Sequence, residues 1–138
     1  LAGICLALLG HSMAEANSKE RAATTISGLG QKAFLLMAGQ QYEKAIPLLQ
    51  EAISKAEGAQ DHGQAVRLRN NLGSCYFALL NLPEATRQYQ MALAGARQQK
   101  FGDLETAAAY SMASLHLSSG QHRQAQEMLS QYPLDGST

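Results

Sequence analysis

Three segments of this chain carry one residue pattern at equal intervals, and that constrains its fold more than any other feature. Each has a small residue within an apolar run, a polar break, and then an alanine that opens a second run. The middle copy is clearest: Asn71-Leu72-Gly73-Ser74-Cys75-Tyr76-Phe77-Ala78-Leu79-Leu80-Asn81-Leu82-Pro83-Glu84-Ala85, followed by Tyr89 and Ala92-Leu93. The first copy has Ala33, Leu36, Gly39, Tyr42, Ala45, Leu49 and Ala52-Ile53 at the matching places, and the third has Met112-Ala113, His116, Gly120, Ala125 and Leu129. The anchoring alanines Ala45, Ala85 and Ala125 lie 40 residues apart. A unit of that length cannot bury an apolar face alone, so neighbouring units must stack and stability becomes a sum of adjacent interfaces.

Each copy reads as two helices. Ile26, Leu29, Ala33 and Leu36-Met37 recur at three-to-four spacing, as do Leu68, Leu72, Cys75-Tyr76 and Leu79-Leu80, and each set makes one apolar stripe. Gly39, Asn81 and Gly120 interrupt the copies where a turn is needed. Asn81 suits an N-cap, and Pro83 just inside is tolerated because early helical N–H groups have no internal acceptor. Breaker-rich stretches, Glu57–Gly63 and Gln99–Asp103, separate the copies, and Pro133 ends the last helix. No run alternates with a period of two, so no strand is expected. The expected architecture is all-α, a superhelical solenoid of antiparallel helix pairs. It has about three repeats (27–58, 65–99 and 104–132), a helical lead-in or partial repeat over 1–26, and a flexible tail over 134–138. Ala33, Gly73 and Ala113 fall where paired helices cross, answered by Ala45, Ala85 and Ala125, because only a hydrogen or a methyl there lets two backbones approach.

Composition removes several function classes. Lys+Arg and Asp+Glu are both 11 and charged residues make up only 16%, so neither the basic stripe of a nucleic-acid binder nor a polybasic membrane cluster is present. Cys5 and Cys75 are the two cysteines, too few for a disulfide framework or a zinc knuckle. A reduced, cytoplasmic chain follows from that reading. The alternative is export, with residues 1–16 as a signal peptide, because Leu1–Leu9 is an apolar run. It lacks a basic flank and is too short to span a bilayer, which takes roughly 20 residues. Ile4 between Gly3 and Cys5 also breaks a lipoprotein signal. The default for this run is a core-facing helix, with Ala2-Gly3, Leu6 and Gly10 read as a first helix and turn. Beginning at Leu1 rather than Met, the chain is expected to be a fragment or a processed product.

The sequence Leu72-Gly73-x-x-Tyr76 followed by Ala85-x-x-x-Tyr89 resembles the signature of the tetratricopeptide-repeat (TPR) family. Arg69 replaces the usual tryptophan, and Arg97 stands where a closing proline is common. The 40-residue spacing exceeds the usual 34, with the extra residues expected between repeats. That longer form resembles polarity adaptors of the LGN/Pins type, kinesin light chains, and ligand-sensing helical domains of some bacterial regulators. The resemblance implies a concave groove lined by the first helices of successive repeats. Carried over by position, the peptide-binding set is Phe34 and Met37; Arg67, Asn70, Asn71, Ser74 and Phe77; and Tyr110, Ser114 and Leu117. The competing reading puts Phe34 and Leu117 in the core. Asn70 is expected to face water or hold a backbone group, since an unpaired buried amide costs roughly 1–3 kcal/mol. The two-carboxylate clamp of TPR cochaperones is not expected, because Gly30, Phe34, Ala107 and Ser111 stand at its other positions and only Asn71 fits.

Chemical motifs add little. Gly28-Leu29-Gly30-Gln31-Lys32-Ala33 loosely matches a dinucleotide fingerprint, but no strand precedes it. His11, His62, His116 and His122 never share metal-pair spacing, and His116 at the place of Tyr76 reads as a packed core histidine. No nucleophile motif is present. No catalysis, cofactor or metal is therefore expected. The expected function is an adaptor or scaffold whose groove binds a protein or peptide partner, without nucleic acid or a membrane span. The alternatives are a self-associating module, which would be a homo-oligomer, and a regulatory domain that senses a small ligand or short peptide.

Overall fold

The computed structural model describes residues 2–133, with side chains from Leu8 onward. The expected tail over 134–138 lies outside the described residues. Six helices follow one another: α1 (Ala2–Ala38), α2 (Tyr42–Gly58), α3 (His62–Ala78), α4 (Leu82–Gln99), α5 (Gly102–Ser118) and α6 (His122–Ser130). No strand occurs among the described residues. Each helix packs antiparallel on the next. Of the non-adjacent helices, α3 touches α1 and α5, whereas α2, α4 and α6 do not touch one another. The odd-numbered helices therefore crowd together on an inner face and the even-numbered ones splay on an outer face, as in a helical-repeat solenoid.

The turns show how the sequence sets this geometry. Gln40, Gln60, Leu80, Lys100 and Gly120 all have φ between 57° and 74°, one at every twentieth residue. The next N–H in each turn (Gln41, Asp61, Asn81, Phe101 and Gln121) donates to a carbonyl five residues back, at 2.8–2.9 Å. This is the Schellman closure, which satisfies orphan carbonyls at a helix end. Turns within and between repeats are thus alike. The extra length expected between repeats lies instead in the helices: Glu57 and Gly58 complete α2, and His62 and Gly63 open α3. Asn81 caps α4 by accepting from the Glu84 N–H at 3.3 Å, with Pro83 in the first turn, and Asp61 does the same for α3. The turn expected at Gly10 is absent, because α1 continues through it. Leu8, Leu9 and Met13 are exposed, so this part of α1 is not core-facing.

Four of the five left-handed positions carry side chains that disfavour that conformation. Leu80 also points its side chain into solvent, 81% exposed, and so leaves the apolar stripe assigned to it. Leu80→Gly should raise stability by about 1 kcal/mol, since no packing is lost. A higher urea midpoint would show this, and Leu80→Ala should not reproduce it.

Ala33, Ala45, Ala85, Ala113 and Ala125 are all buried, but what lies against Gly73 is the ring of Tyr89 rather than Ala85. Arg69, in the tryptophan's place, ties three helices together: it pairs with Glu57 of α2 and donates to Gln88 Oε1 of α4 at 3.3 Å. Arg97 does similar work at the other end, bonding Glu105 of α5 at 3.0 Å and the Tyr132 hydroxyl at 2.8 Å. That hydroxyl donates onward to Glu105 at 2.6 Å, and the two hydrogen bonds hold the Glu105 carboxyl below its usual range. His116 is half-buried, with Nδ1 2.5 Å from Gln121 Oε1 across the last turn. Burial pushes the Cys75 thiol up to about 11. Native protein at pH 8 should therefore resist alkylation at Cys75 by iodoacetamide and react there once unfolded, which peptide mass spectrometry would read.

Candidate functional site

Three helices, α1, α3 and α5, supply the inner face, and a 40-residue shift places equivalent side chains along it. Met37, Phe77 and Leu117 form one such row, and Phe34, Ser74 and Ser114 another. In the second row the large Phe34 stands beside two serines, whereas the first row is large throughout, so the face is grooved rather than flat. Among the described residues, a cleft of about 290 Å³ opens between α1 and α3, lined by Ser27, Gly30, Gln31, Phe34, Gln64, Arg67 and Asn71 with Ile26 and Leu68 at its floor. A second, of about 230 Å³, lies between α3 and α5 and is lined by Gly63, Arg67, Phe101, Asp103 and Leu104. Arg67 borders both. It is exposed and makes no ion pair or hydrogen bond among the described residues, so its guanidinium is placed to donate to a ligand.

The ten candidate residues divide by environment. Phe34 and Leu117 are 62% and 48% exposed, so neither belongs to the core. Arg67 and Ser114 are exposed, and Asn71 is half-buried at the cleft wall. Met37 and Phe77 are half-buried: Met37 packs on the α1–α2 core, and Phe77 packs on the cluster of Ala85, Tyr89, Met112 and Leu115. Ser74 is engaged within the fold, donating to the Asn70 carbonyl at 3.1 Å and accepting from the Tyr89 hydroxyl at 3.1 Å. Burial raises the Tyr89 hydroxyl's pKa, so it stays a donor.

Two residues differ from expectation. The Asn70 side-chain oxygen is enclosed and has no donor among the described residues, although the residue as a whole is half-buried. Tyr110 spends its hydroxyl on the Tyr132 carbonyl at 2.7 Å, which fastens the chain after α6 to α5. For Tyr110 the cause is that the chain after α6 returns over this position, which a pattern within one helix does not reveal. The unpaired state of Arg67 was equally hidden, since Glu57, the nearest acidic residue to it in sequence after Asp61, turns instead to Arg69.

Residues 20–98 match the profile of the tetratricopeptide repeat. Helices α5 and α6 lie beyond that match but repeat its geometry. The chain is also similar to the crystal structure of the TPR domain of Arabidopsis FLU, with a TM-score of 0.72 at 18% identity, covering 80% of this chain and 93% of that one. No curated protein sequence matches. At that identity the structural likeness speaks for the fold, and the family rests on the profile, which spans more than half of the chain. No helix among the described residues is long and apolar enough to cross a membrane. With its paired helices, its Leu72-Gly73-x-x-Tyr76 signature and its matched profile, the chain belongs to the tetratricopeptide-repeat family.

Proposed function

We propose that this chain is an adaptor or scaffold that takes a partner peptide or helix into the groove along α1, α3 and α5. TPR arrays in general mediate protein–protein interaction. The observation that carries the finer reading is the environment of Arg67: an unpaired cation between two clefts, with exposed Phe34 on one side and Asp103 on the other. An exposed aromatic next to unspent hydrogen-bonding groups is a poor surface for water and a good one for an amphipathic segment. Asn71 adds a donor and an acceptor suited to a peptide backbone. With one cation and one carboxylate along the clefts, the segment is amphipathic and of at most modest acidity. Kinship with the 40-residue-spaced adaptors belongs to the same reading, as does a cytoplasmic setting.

Selection from a random-peptide display library on the wild-type protein alone, followed by binding assays of the enriched peptides on a Phe34→Ala, Arg67→Ala variant, tests this. Enriched peptides should bind wild type and lose about tenfold or more on the variant, since few residues carry most interface energy. Peptides that bind both forms alike would place binding elsewhere.

A further inference from the structure

The first helix is out of step with the rest of the array. Helices α2 to α6 begin at intervals of 20 residues and span 17 or 18 where full length, yet α1 runs for 37 without a break. The 40-residue shift resolves its first half. Leu49, Ala52, Ile53 and Ala56 are buried in the second half of the α2 stripe that Ala45 opens, and Tyr89, Ala92, Leu93 and Ala96 are buried at the same places of α4, after Ala85 and Gln88. The same shift lands on Leu9, Ser12, Met13 and Ala16 of α1, which repeat the large-small-large-small order. Here, however, every side chain from Leu8 to Arg21 is exposed. This segment has the sequence of a second helix of a pair, yet its described side chains stay exposed.

Its complement is on the same chain. On α3, Leu68, Leu72 and Cys75 are buried in one cluster with residues of α2 and α1, and on α5 Ala108, Met112 and Leu115 are buried in clusters with residues of α4. The equivalent residues of α1 are Gly28, Lys32 and Leu35, and Leu35 is 65% exposed where its counterparts are 0% and 4%. The hinge between the two halves falls at Lys19-Glu20-Arg21, where Glu20 holds the place of Gln40, Gln60, Leu80 and Lys100. Those four residues adopt left-handed φ without being glycine, so this chain makes its turns from ordinary side chains. Gln41, Phe101 and Gln121 start helices without a side-chain cap, so Arg21 is no obstacle either.

We infer that residues 2–18 fold back through a turn at Lys19–Arg21 and dock as a helix on the Gly28–Lys32–Leu35 face of their own chain, the straight α1 being the open form. Closure adds a seventh helix in the register that α2 keeps with α3, and it covers Leu9, Met13 and Leu35 together. A helix without tertiary contacts is marginal in water, which disfavours the open form. The closed seam is less apolar than its counterparts, because Gly28 and Lys32 replace Leu68 and Leu72, although the Lys32 stem can lie along it with its charge in water. The two forms are therefore close in free energy, and the segment acts as a hinged cover over the exposed Leu35 side of α1.

Spin labels at Gly10→Cys and Gln31→Cys, in a Cys5→Ser background with Cys75 left buried, measure the hinge directly by pulsed electron resonance. The sites are 21 residues apart, about 32 Å along a straight helix. Across a packed pair they lie about 10–20 Å apart, given the spacing of helix axes. The expected result is a population at the short distance that is unchanged when labelled protein is diluted with unlabelled. Leu9→Glu with Met13→Glu, and separately Leu35→Glu, should shift that population to about 32 Å. A single long distance in the wild-type chain overturns the inference. So does a short distance that disappears on dilution, which would make the occupant a second copy, or one that the glutamates leave unchanged.

Discussion

Gly73→Leu should destabilise the array by about 3 kcal/mol, near the upper end of overpacking costs, in a urea titration. A Cβ on Gly73 would lie 2.6 Å from both Cδ1 and Cε1 of Tyr89. That ring cannot yield easily, since Tyr89 is buried and its hydroxyl is tied to Ser74. Gly73→Ala should cost less, because alanine gains about 1 kcal/mol of helix propensity over glycine. Gly102→Ala serves as the control: a Cβ there meets nothing within 4 Å, so stability should hold. Tyr89→Ala is destabilising by itself, but adding Gly73→Ala to it should cost nothing further. A double-mutant cycle with no coupling would mean that the α3–α4 crossing is not where the structure puts it.

Phe34→Ala should cost about 1–3 kcal/mol of binding to a selected peptide by isothermal titration, while the melting temperature stays within error. The side chain is exposed, so its removal opens no cavity. Phe77→Ala should lower both binding and stability, because this ring also packs on Tyr89 and Leu115 across to α5. Tyr110→Ala should mainly loosen α6, whose end the hydroxyl holds through Tyr132. Arg67→Ala should weaken binding at low salt and matter less as salt rises, since an exposed charge is screened.

How far the sequence was legible follows from the range of the interactions. The helix pairs, the cap at Asn81 and the small residues at the crossings are set by neighbours a few positions away, and by a repeat that states each choice three times. Glu57, Arg69 and Gln88 meet only after α2, α3 and α4 have stacked, so no spacing in the sequence announces their bonds. The turns misled for another reason. Gly58 and Gly63 look like breakers, yet the left-handed residue between them is Gln60, and the glycines fall inside helices. On the inner face, repeat equivalence found Phe34, Arg67 and Leu117 as exposed positions, but it could not show that Ser74 and Tyr110 spend their hydroxyls within the fold. Gln88, which looks like a surface residue of α4, is 3% exposed for the same tertiary reason.

The claim that the odd-numbered helices form the binding face is tested most directly by NMR, titrating a selected peptide into isotope-labelled protein. The largest shift changes should fall on Phe34, Arg67, Asn71, Phe77 and Leu117, and Gln90→Ala with Gln98→Ala, both exposed on α4, should leave affinity unchanged. Shift changes confined to the outer surface of α2 and α4, with affinity lost in that double variant, would contradict it.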